Sequence, residues 1–73
     1  MNIAYISGYV YDVVSDNDFV VVCDGDYIHC KSKVAPRKGE TIAVLGTLKS
    51  ERRTLYGKPI ITHYIETNNM AGE

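Results

Sequence analysis

The dipeptide Asp24-Gly25 constrains the fold of this chain more than any other feature, because it marks a tight reversal between two strand-like segments. Asp-Gly is among the strongest short signals for a two-residue β-hairpin turn. The flanking segments, 19–23 and 26–31, are rich in β-branched and aromatic residues, as strands are. Antiparallel pairing across the turn places four residues on the face that we expect to enter the core: Phe19, Val21, Ile28 and Cys30.

Two further segments, 3–14 and 40–49, alternate with the period of a β-strand, and a last strand is expected over 58–66. Gly8 lies within the first of them, where it predicts a bend or bulge. The segment 33–39 holds a proline and a glycine, so it predicts a connection rather than a helix of ordinary length. A charged loop is expected over residues 50–57. The pattern therefore predicts an all-β protein of five strands.

The chain has 73 residues, which is the size of one domain. We expect a single domain over residues 1–67 and a flexible tail over 68–73. No apolar run approaches the roughly 20 residues that span a bilayer, and the first residues lack a basic signal-peptide region, so a cytoplasmic protein without a membrane partner is expected. Pairing places Cys30 opposite Phe19, about 13 Å along the hairpin from Cys23, so free thiols are expected. No metal-ligand spacing appears, and no cofactor is expected.

The order of these segments resembles the OB-fold over about residues 3–66. The similarity rests on a glycine midway along the first and fourth strands, and on Lys38-Gly39-Glu40 before the fourth. It implies a five-stranded OB-fold barrel with a very short connection in place of the usual helix between the third and fourth strands. Val34, Ala35 and Pro36, or a partner, would then close the barrel bottom. The family binds ligands across strands 2 and 3 and the loops flanking them.

The resemblance also implies which way the first strand faces. Ile6, Gly8 and Val10 would point into the barrel, and the alternate residues would point outward. The matching segments of the sequence are Ile6-Ser7-Gly8-Tyr9-Val10, Phe19 to Gly25, Ile28-His29-Cys30, Arg37 to Leu48, and Gly57 to Glu66. Small bacterial and viral OB modules that bind single-stranded nucleic acid are the most similar in character.

Charge is segregated along the chain. All eight basic residues lie between Lys31 and Lys58, whereas the first thirty residues carry five aspartates and no Lys or Arg. A clustered positive region is the usual footprint of nucleic-acid binding. The acidic loop between the first two strands, Asp16-Asn17-Asp18, is expected to repel phosphate. A solvated face whose charges are sorted by chance is the alternative interpretation.

Aromatic and cationic residues are predicted to share one side of the barrel. Unpaired bases can stack on tyrosine rings, and Lys and Arg can neutralise phosphates. The candidate nucleic-acid-binding residues are Tyr9, Tyr11, Tyr27, His29, Lys31, Lys33, Lys49, Arg52, Arg53, Tyr56 and Lys58. Each tyrosine on a strand also has a structural interpretation as a cross-strand packing residue, and Tyr56 has one as a residue that packs the hairpin tip. That interpretation is favoured for Tyr5 and Tyr64, and His29 has a similar alternative as a surface partner of Val20.

These residues predict sequence-tolerant binding of single-stranded DNA, or RNA, in a process such as DNA replication. The chain shows no nucleophile elbow, phosphate-cradling loop or catalytic triad, so an enzyme is not expected. The alternative is a protein-interaction module within a nucleic-acid-processing complex. Such a module could form a homodimer through the face of Val20, Val22 and Tyr27, or through the open barrel bottom.

Overall fold

The computed structural model describes residues 2–72, and for Leu55 and residues 68–72 it describes the backbone alone. The described residues form five strands: β1 (Ile3–Ser15), β2 (Asp18–Cys23), β3 (Asp26–Lys31), β4 (Thr41–Leu55) and β5 (Lys58–Gly72). The prediction of an all-β chain with five strands is confirmed. No helix forms within residues 2–72, so none there is long and apolar enough to cross a membrane.

The five strands form one sheet that closes into a barrel in the order β1-β2-β3-β5-β4. Neighbouring strands are antiparallel, except that β3 and β5 run parallel and pair at Cys30 with Ile65 and at Lys31 with Glu66. β4 pairs with β1 from Ile3–Thr47 to Tyr9–Thr41 and so completes the ring. This closure removes the open sheet edges that a five-stranded sheet would otherwise expose.

The predicted hairpin at Asp24-Gly25 forms with the predicted register. Both turn residues have positive φ, 51° and 82°, as a two-residue hairpin turn requires. Phe19 lies opposite Cys30, and Val21 lies opposite Ile28. Since residues of one parity face inward, these side chains enter the core as expected. The buried apolar residues are Val10, Phe19, Val21, Cys30, Ile42, Val44 and Ile65, and Ile6 and Ile28 pack against them.

Burial of the core also fixes the state of Cys30. Its side chain is fully buried, and burial raises the pKa of its thiol to about 12, because the thiolate loses its hydration in the core. Cys23 is half-buried, and both thiols are free. Cys30 is therefore a neutral packing residue at physiological pH.

Two glycines let neighbouring strands approach closely. A Cβ atom at Gly8 would overlap the carbonyl oxygen of Val22, and one at Gly46 would overlap the carbonyl oxygen of Glu66. Gly46 also sits at an irregularity in the β4–β5 register. Backbone atoms cannot move aside as a flexible side chain can, so only glycine fits at these two positions.

Substituting Gly8 with alanine is expected to destabilise the fold by about 1–3 kcal/mol, the usual effect of overpacking. The added methyl group would force β1 away from the backbone of β2 at Val22. Urea unfolding followed by circular dichroism measures the change. Ser7→Thr, which adds one methyl group at the exposed neighbouring position, is the control and should change stability little. Equal unfolding midpoints for Gly8→Ala and Ser7→Thr would contradict this account.

The short connection between β3 and β4 is held by the loop between β1 and β2. The side-chain amide of Asn17 donates hydrogen bonds to the carbonyl oxygens of Ser32 (3.0 Å) and Lys33 (2.9 Å). The backbone N–H of Ala35 donates to the carbonyl oxygen of Asp16 at 2.8 Å. Ala35 packs against the core, whereas Val34 is 73% exposed. Of the residues expected to close the barrel bottom, Val34 therefore takes no part.

The charged loop expected over residues 50–57 is not a loop. β4 continues to Leu55 and β5 begins at Lys58, so only Tyr56 and Gly57 form the turn. We call residues 49–64 the arm, a two-stranded hairpin paired from Lys49–Tyr64 to Leu55–Lys58. Pairing between β1 and β4 ends at Thr47, before the arm begins, so the arm projects from the barrel. A strand of seven residues spans about 23 Å.

β5 also extends beyond the expected end at Glu66, because the described backbone pairs with β4 as far as Gly72. The flexible tail expected over 68–73 falls on residues whose side chains lie outside the described part of the chain, and Glu73 lies outside it entirely. The tail thus stays a prediction.

Candidate nucleic-acid interface

A row of outward-facing residues crosses three adjacent strands. Tyr9 of β1 lies opposite Val22 of β2, which in turn lies opposite Tyr27 of β3. Directly opposed side chains in such a row stand about 5 Å apart. Tyr9 and Tyr27 are exposed, Tyr27 by 64%, while Val22 is half-buried between them. The row therefore presents two aromatic rings to solvent with an aliphatic floor.

Tyr11 joins this row because β1 is irregular at that point. The β1–β2 register shifts between Val10 and Asp12, which leaves Tyr11 as the extra residue of a bulge. Its ring lies 4.8 Å from that of Tyr27, centroid to centroid, at an interplanar angle of 86°. This edge-to-face contact is a favourable aromatic geometry and restrains the orientation of both rings. The bulge thus turns two separate tyrosines into one aromatic pair.

The outer face continues from β3 onto β5. His29 lies 6.1 Å from the Tyr64 ring, and Lys31 places its Nζ 4.6 Å from the centroid of the same ring. A cation at that distance over a tyrosine ring is attracted by the ring's electron density. We call the surface formed by Val22 and the rings of Tyr9, Tyr11, Tyr27, His29 and Tyr64, with Lys31 beside them, the aromatic face.

Tyr64 was expected to be a structural residue, and its place on the aromatic face was missed. The parallel pairing of β3 with β5 brings it there, because Ile65 pairs with Cys30 and faces inward while Tyr64 faces outward. The alternation of Tyr64 with Ile65 was readable from the sequence. Which strand would lie beside it was not, since that pairing joins segments more than thirty residues apart.

His29 does not stand free on this face. Its Nε2 lies 3.0 Å from the Oδ1 of Asp18, and that carboxylate also accepts a hydrogen bond from the Ser15 hydroxyl. The expected cross-strand pairing of His29 with Val20 is present as well. A histidine bonded through Nε2 has its ring orientation fixed, so it can present a ring face but not that nitrogen to a ligand.

A charged network joins the barrel to the arm. Lys31 Nζ donates to Oε2 of Glu51 at 2.8 Å, and Arg53 Nε donates to Oε1 of the same carboxylate at 2.8 Å. The hydrogen bond to Glu51 raises the pKa of Lys31, and the bonds from Lys31 and Arg53 lower the pKa of Glu51. Lys31 and Glu51 are therefore both charged at neutral pH. Glu51 therefore occupies hydrogen-bond donors of Lys31 and Arg53 that could otherwise bind phosphate.

The remaining basic candidates fall into two groups. Lys49 is paired with Glu66 at 2.7 Å, which raises the pKa of the lysine. Among the side chains that the structure describes, Lys33, Arg52 and Lys58 form no ion pair. These three are therefore free to meet phosphate without first breaking an internal contact.

Strand alternation separates two arginines that are neighbours in sequence. Arg53 lies opposite Ile60, and Arg52 lies opposite Ile61. Lys49, Glu51 and Arg53 share the face of the arm that continues the aromatic face, because Lys49 pairs with Tyr64. Arg52 points to the other side of the hairpin. The structure thus brings Arg53, Lys58 and Lys49 to the aromatic side and does not bring Arg52 there.

Tyr56 lies apart from the other candidate rings, at the tip of the arm. Its side chain is 95% exposed, so it does not pack the hairpin turn. Its φ of 52° lies in the left-handed region, which a tyrosine rarely adopts. The sequence alone left open whether this residue packed the turn, and the structure shows that it does not.

The acidic and basic regions are closer than the sequence indicated. Asp18 lies opposite Lys31 in the β2–β3 register, and the loop residue Asn17 bonds the carbonyl of Lys33. Asp16 and Asp18 therefore border the positive region at the end of β3 instead of occupying a remote end of the barrel. Any polyanion on the aromatic face is bounded on this side by carboxylates.

No group of three or more potential metal-ligating side chains converges within the described residues. No protein-family model matches this chain, and no curated protein matches its sequence. The geometry and chemistry of the aromatic face and the arm are therefore the basis for assigning a function.

Proposed function

We propose that this chain is an OB-fold protein that binds single-stranded nucleic acid without sequence preference and has no catalytic activity. The strand order β1-β2-β3-β5-β4, with β3 parallel to β5, supports the fold proposal, because it closes five strands into a small barrel of the Greek-key kind. The chain departs from the usual pattern at residues 32–40, where nine residues without a helix join β3 to β4.

One observation carries the functional proposal: three exposed tyrosine rings and the half-buried Tyr64 and Lys31 lie on the same side of the barrel. Tyr9, Tyr11 and Tyr27 lie at one end, and Tyr64 with Lys31 leads from them to the arm. Stacking of unpaired bases on such rings contributes about 1–3 kcal/mol per base and tolerates any sequence, because every base has a π-face. Cations beside the rings neutralise the phosphates between the bases.

The path of the strand follows from the charges. It runs over the Tyr11–Tyr27 pair, passes Tyr64 and Lys31, and continues along the face of the arm that carries Arg53 and Lys58. The alternative direction, across the loop between β1 and β2, meets the carboxylates of Asp16 and Asp18 and is disfavoured.

A competition experiment tests the proposal. Unlabelled oligothymidine and a blunt duplex of equal length are compared for their ability to displace a labelled single strand at low salt. Because the rings need unpaired bases, we expect the single strand to compete at least about fivefold better, the lower end of the effect of one stacked base. Equal competition by the duplex would show that the protein binds phosphates without base stacking, which contradicts the proposal.

The Glu51 network gives a second expected result. Glu51→Gln should increase single-strand affinity several-fold, since Lys31 and Arg53 lose the carboxylate that now occupies them. Each phosphate contact contributes about 0.7 to the slope of log K against log salt for single strands. With both cations released, the slope should steepen by up to about 1.4. Fluorescence anisotropy at several salt concentrations measures both quantities.

Asp24→Asn is the matched control for Glu51→Gln. It removes the same charge at the opposite end of β3 and retains a residue that suits the hairpin turn. Equal gains in affinity for the two variants would show that net charge alone accounts for the effect, and would exclude the release of Lys31 and Arg53 as its cause.

Protein interaction is the second candidate function, and an exposed apolar pair favours it. Tyr5 and Leu45 lie directly opposite each other on the outer face of β1 and β4, and both are exposed. This surface differs from the expected dimer face, where Val20 and Val22 are half-buried. If a homodimer forms through it, Tyr5→Ser should lower the mass found by sedimentation equilibrium without changing oligonucleotide affinity.

A further inference from the structure

The turn at the tip of the arm holds a residue that its geometry does not favour. Tyr56 and Gly57 have φ values of 52° and 75°, so both central residues of the turn are left-handed. Asn, Asp or Gly suits the first of these positions, and a bulky aromatic residue does not. Tyr56 nevertheless occupies it, and its ring is 95% exposed. The ring contributes nothing to the packing of the hairpin, so its position points to a contact outside the chain.

The arm that carries this ring is suited to a polyanion. Its outer part extends beyond the barrel, and its sequence carries four bases, Lys49, Arg52, Arg53 and Lys58, against one acid, Glu51. Cations lie on both sides of the hairpin, because Arg52 and Arg53 point in opposite directions. A two-stranded ribbon with this charge can enter a groove of duplex nucleic acid, whereas a single strand on the aromatic face uses only one side of it.

We propose that the arm contacts a duplex adjoining the bound single strand, with the Tyr56 ring stacked on the base pair at the single-strand/double-strand junction. This inference rests on the proposed binding of a single strand to the aromatic face, which would deliver the junction to the arm. Arg52, on the side away from that face, contacts the duplex phosphates. Aromatic and apolar side chains at the tips of nucleic-acid-binding elements can stack on or separate base steps in this way.

A second copy of the chain is a poorer partner for the arm. Each arm carries a net charge of +3, so two arms placed side by side would repel one another. The tip offers a single ring rather than an apolar patch, and one ring is enough to stack on a base pair but too little for a stable protein interface. Charge complementarity therefore favours nucleic acid over contact between two arms.

The test compares a duplex carrying a single-stranded oligothymidine tail with the same single strand alone. We expect the wild-type protein to bind the tailed duplex about 5- to 10-fold more tightly, the contribution of one stacked ring. Tyr56→Asn should abolish this preference, because the ring is lost while asparagine suits the turn and keeps the arm folded. Tyr56→Phe, which retains the ring, should keep the preference.

Each other outcome overturns a defined part of the account. Wild-type protein that binds the single strand but does not prefer the tailed duplex overturns the junction contact alone. The junction contact is also overturned if Tyr56→Asn loses as much affinity for the single strand as for the tailed duplex. The Tyr56 ring would then contact the single strand. If Tyr56→Asn changed the mass found by sedimentation equilibrium but left binding of the tailed duplex unchanged, the tip of the arm would be assigned to a protein contact. Wild-type protein that binds neither ligand overturns the proposed function as well.

Discussion

Replacing Tyr27 with alanine is expected to weaken single-strand binding by about 5- to 150-fold, which corresponds to the loss of one base stacked on an aromatic ring. Tyr27 is central to the aromatic face, because it lies opposite Val22 and its ring meets that of Tyr11 edge to face. The substitution removes the Tyr27 ring as a stacking surface, and it also removes the edge-to-face contact that orients the Tyr11 ring. Fluorescence anisotropy with labelled oligothymidine at low salt measures the change in Kd.

Two further variants show whether the loss arises from stacking. Tyr27→Phe keeps the ring and should bind nearly as well as the wild-type protein. Tyr5→Ala removes an equally exposed tyrosine that lies on the β1–β4 side of the barrel, beside Leu45, and should leave affinity unchanged. Equal losses for Tyr27→Ala and Tyr5→Ala would mean that the aromatic face as defined is not the binding surface.

Replacing Phe19 with alanine is expected to leave the domain largely unfolded at room temperature. Phe19 is fully buried and is the largest side chain of the core. A Phe-to-Ala change in a core typically costs about 3–5 kcal/mol. A single core in a chain of this size rarely supplies more than about 3–5 kcal/mol of net stability. Circular dichroism and thermal unfolding should therefore show the loss of a cooperative transition.

The control for this prediction is Val14→Ala, an apolar truncation at an exposed position of β1. Surface changes of that kind usually alter stability by no more than about 0.5 kcal/mol. If Phe19→Ala still unfolded in a cooperative transition at the wild-type midpoint, this result would contradict the placement of Phe19 at the centre of the barrel.

The sequence predicted the parts of this fold that depend on local pairing. The Asp24-Gly25 turn defines the register of β2 against β3, and that register determines which residues face the core, as Phe19 and Val21 do. The outward position of Tyr27 on β3 follows from the same alternation, whereas that of the β1 tyrosines was implied by the resemblance to the OB-fold. The hairpin features were predictable because a hairpin brings together residues that are close along the chain.

The arm could not be predicted in the same way. Its strand residues, such as Glu51, Arg52 and Arg53, are charged and hide the alternation of a strand, and Tyr56 is a residue that seldom forms such a turn. β4 continues into the arm because its residues pair with β5 across the hairpin and because alternate side chains contact the barrel. The ion pair of Lys31 with Glu51 joins positions twenty residues apart, and it depends on a tertiary contact that no local pattern indicates.

The salt dependence of single-strand binding shows whether the cations of the barrel and the arm contact the phosphates of a bound strand. Up to five cations lie beside the bound strand, of which Lys31, Lys49 and Arg53 are held in ion pairs. Log K for oligothymidine should therefore fall linearly with log salt concentration, with a slope between about −1.4 and −3.5. Isothermal titrations or anisotropy between low and physiological salt give this slope. The absence of detectable binding at low salt, or an affinity that does not change with salt, would contradict the account.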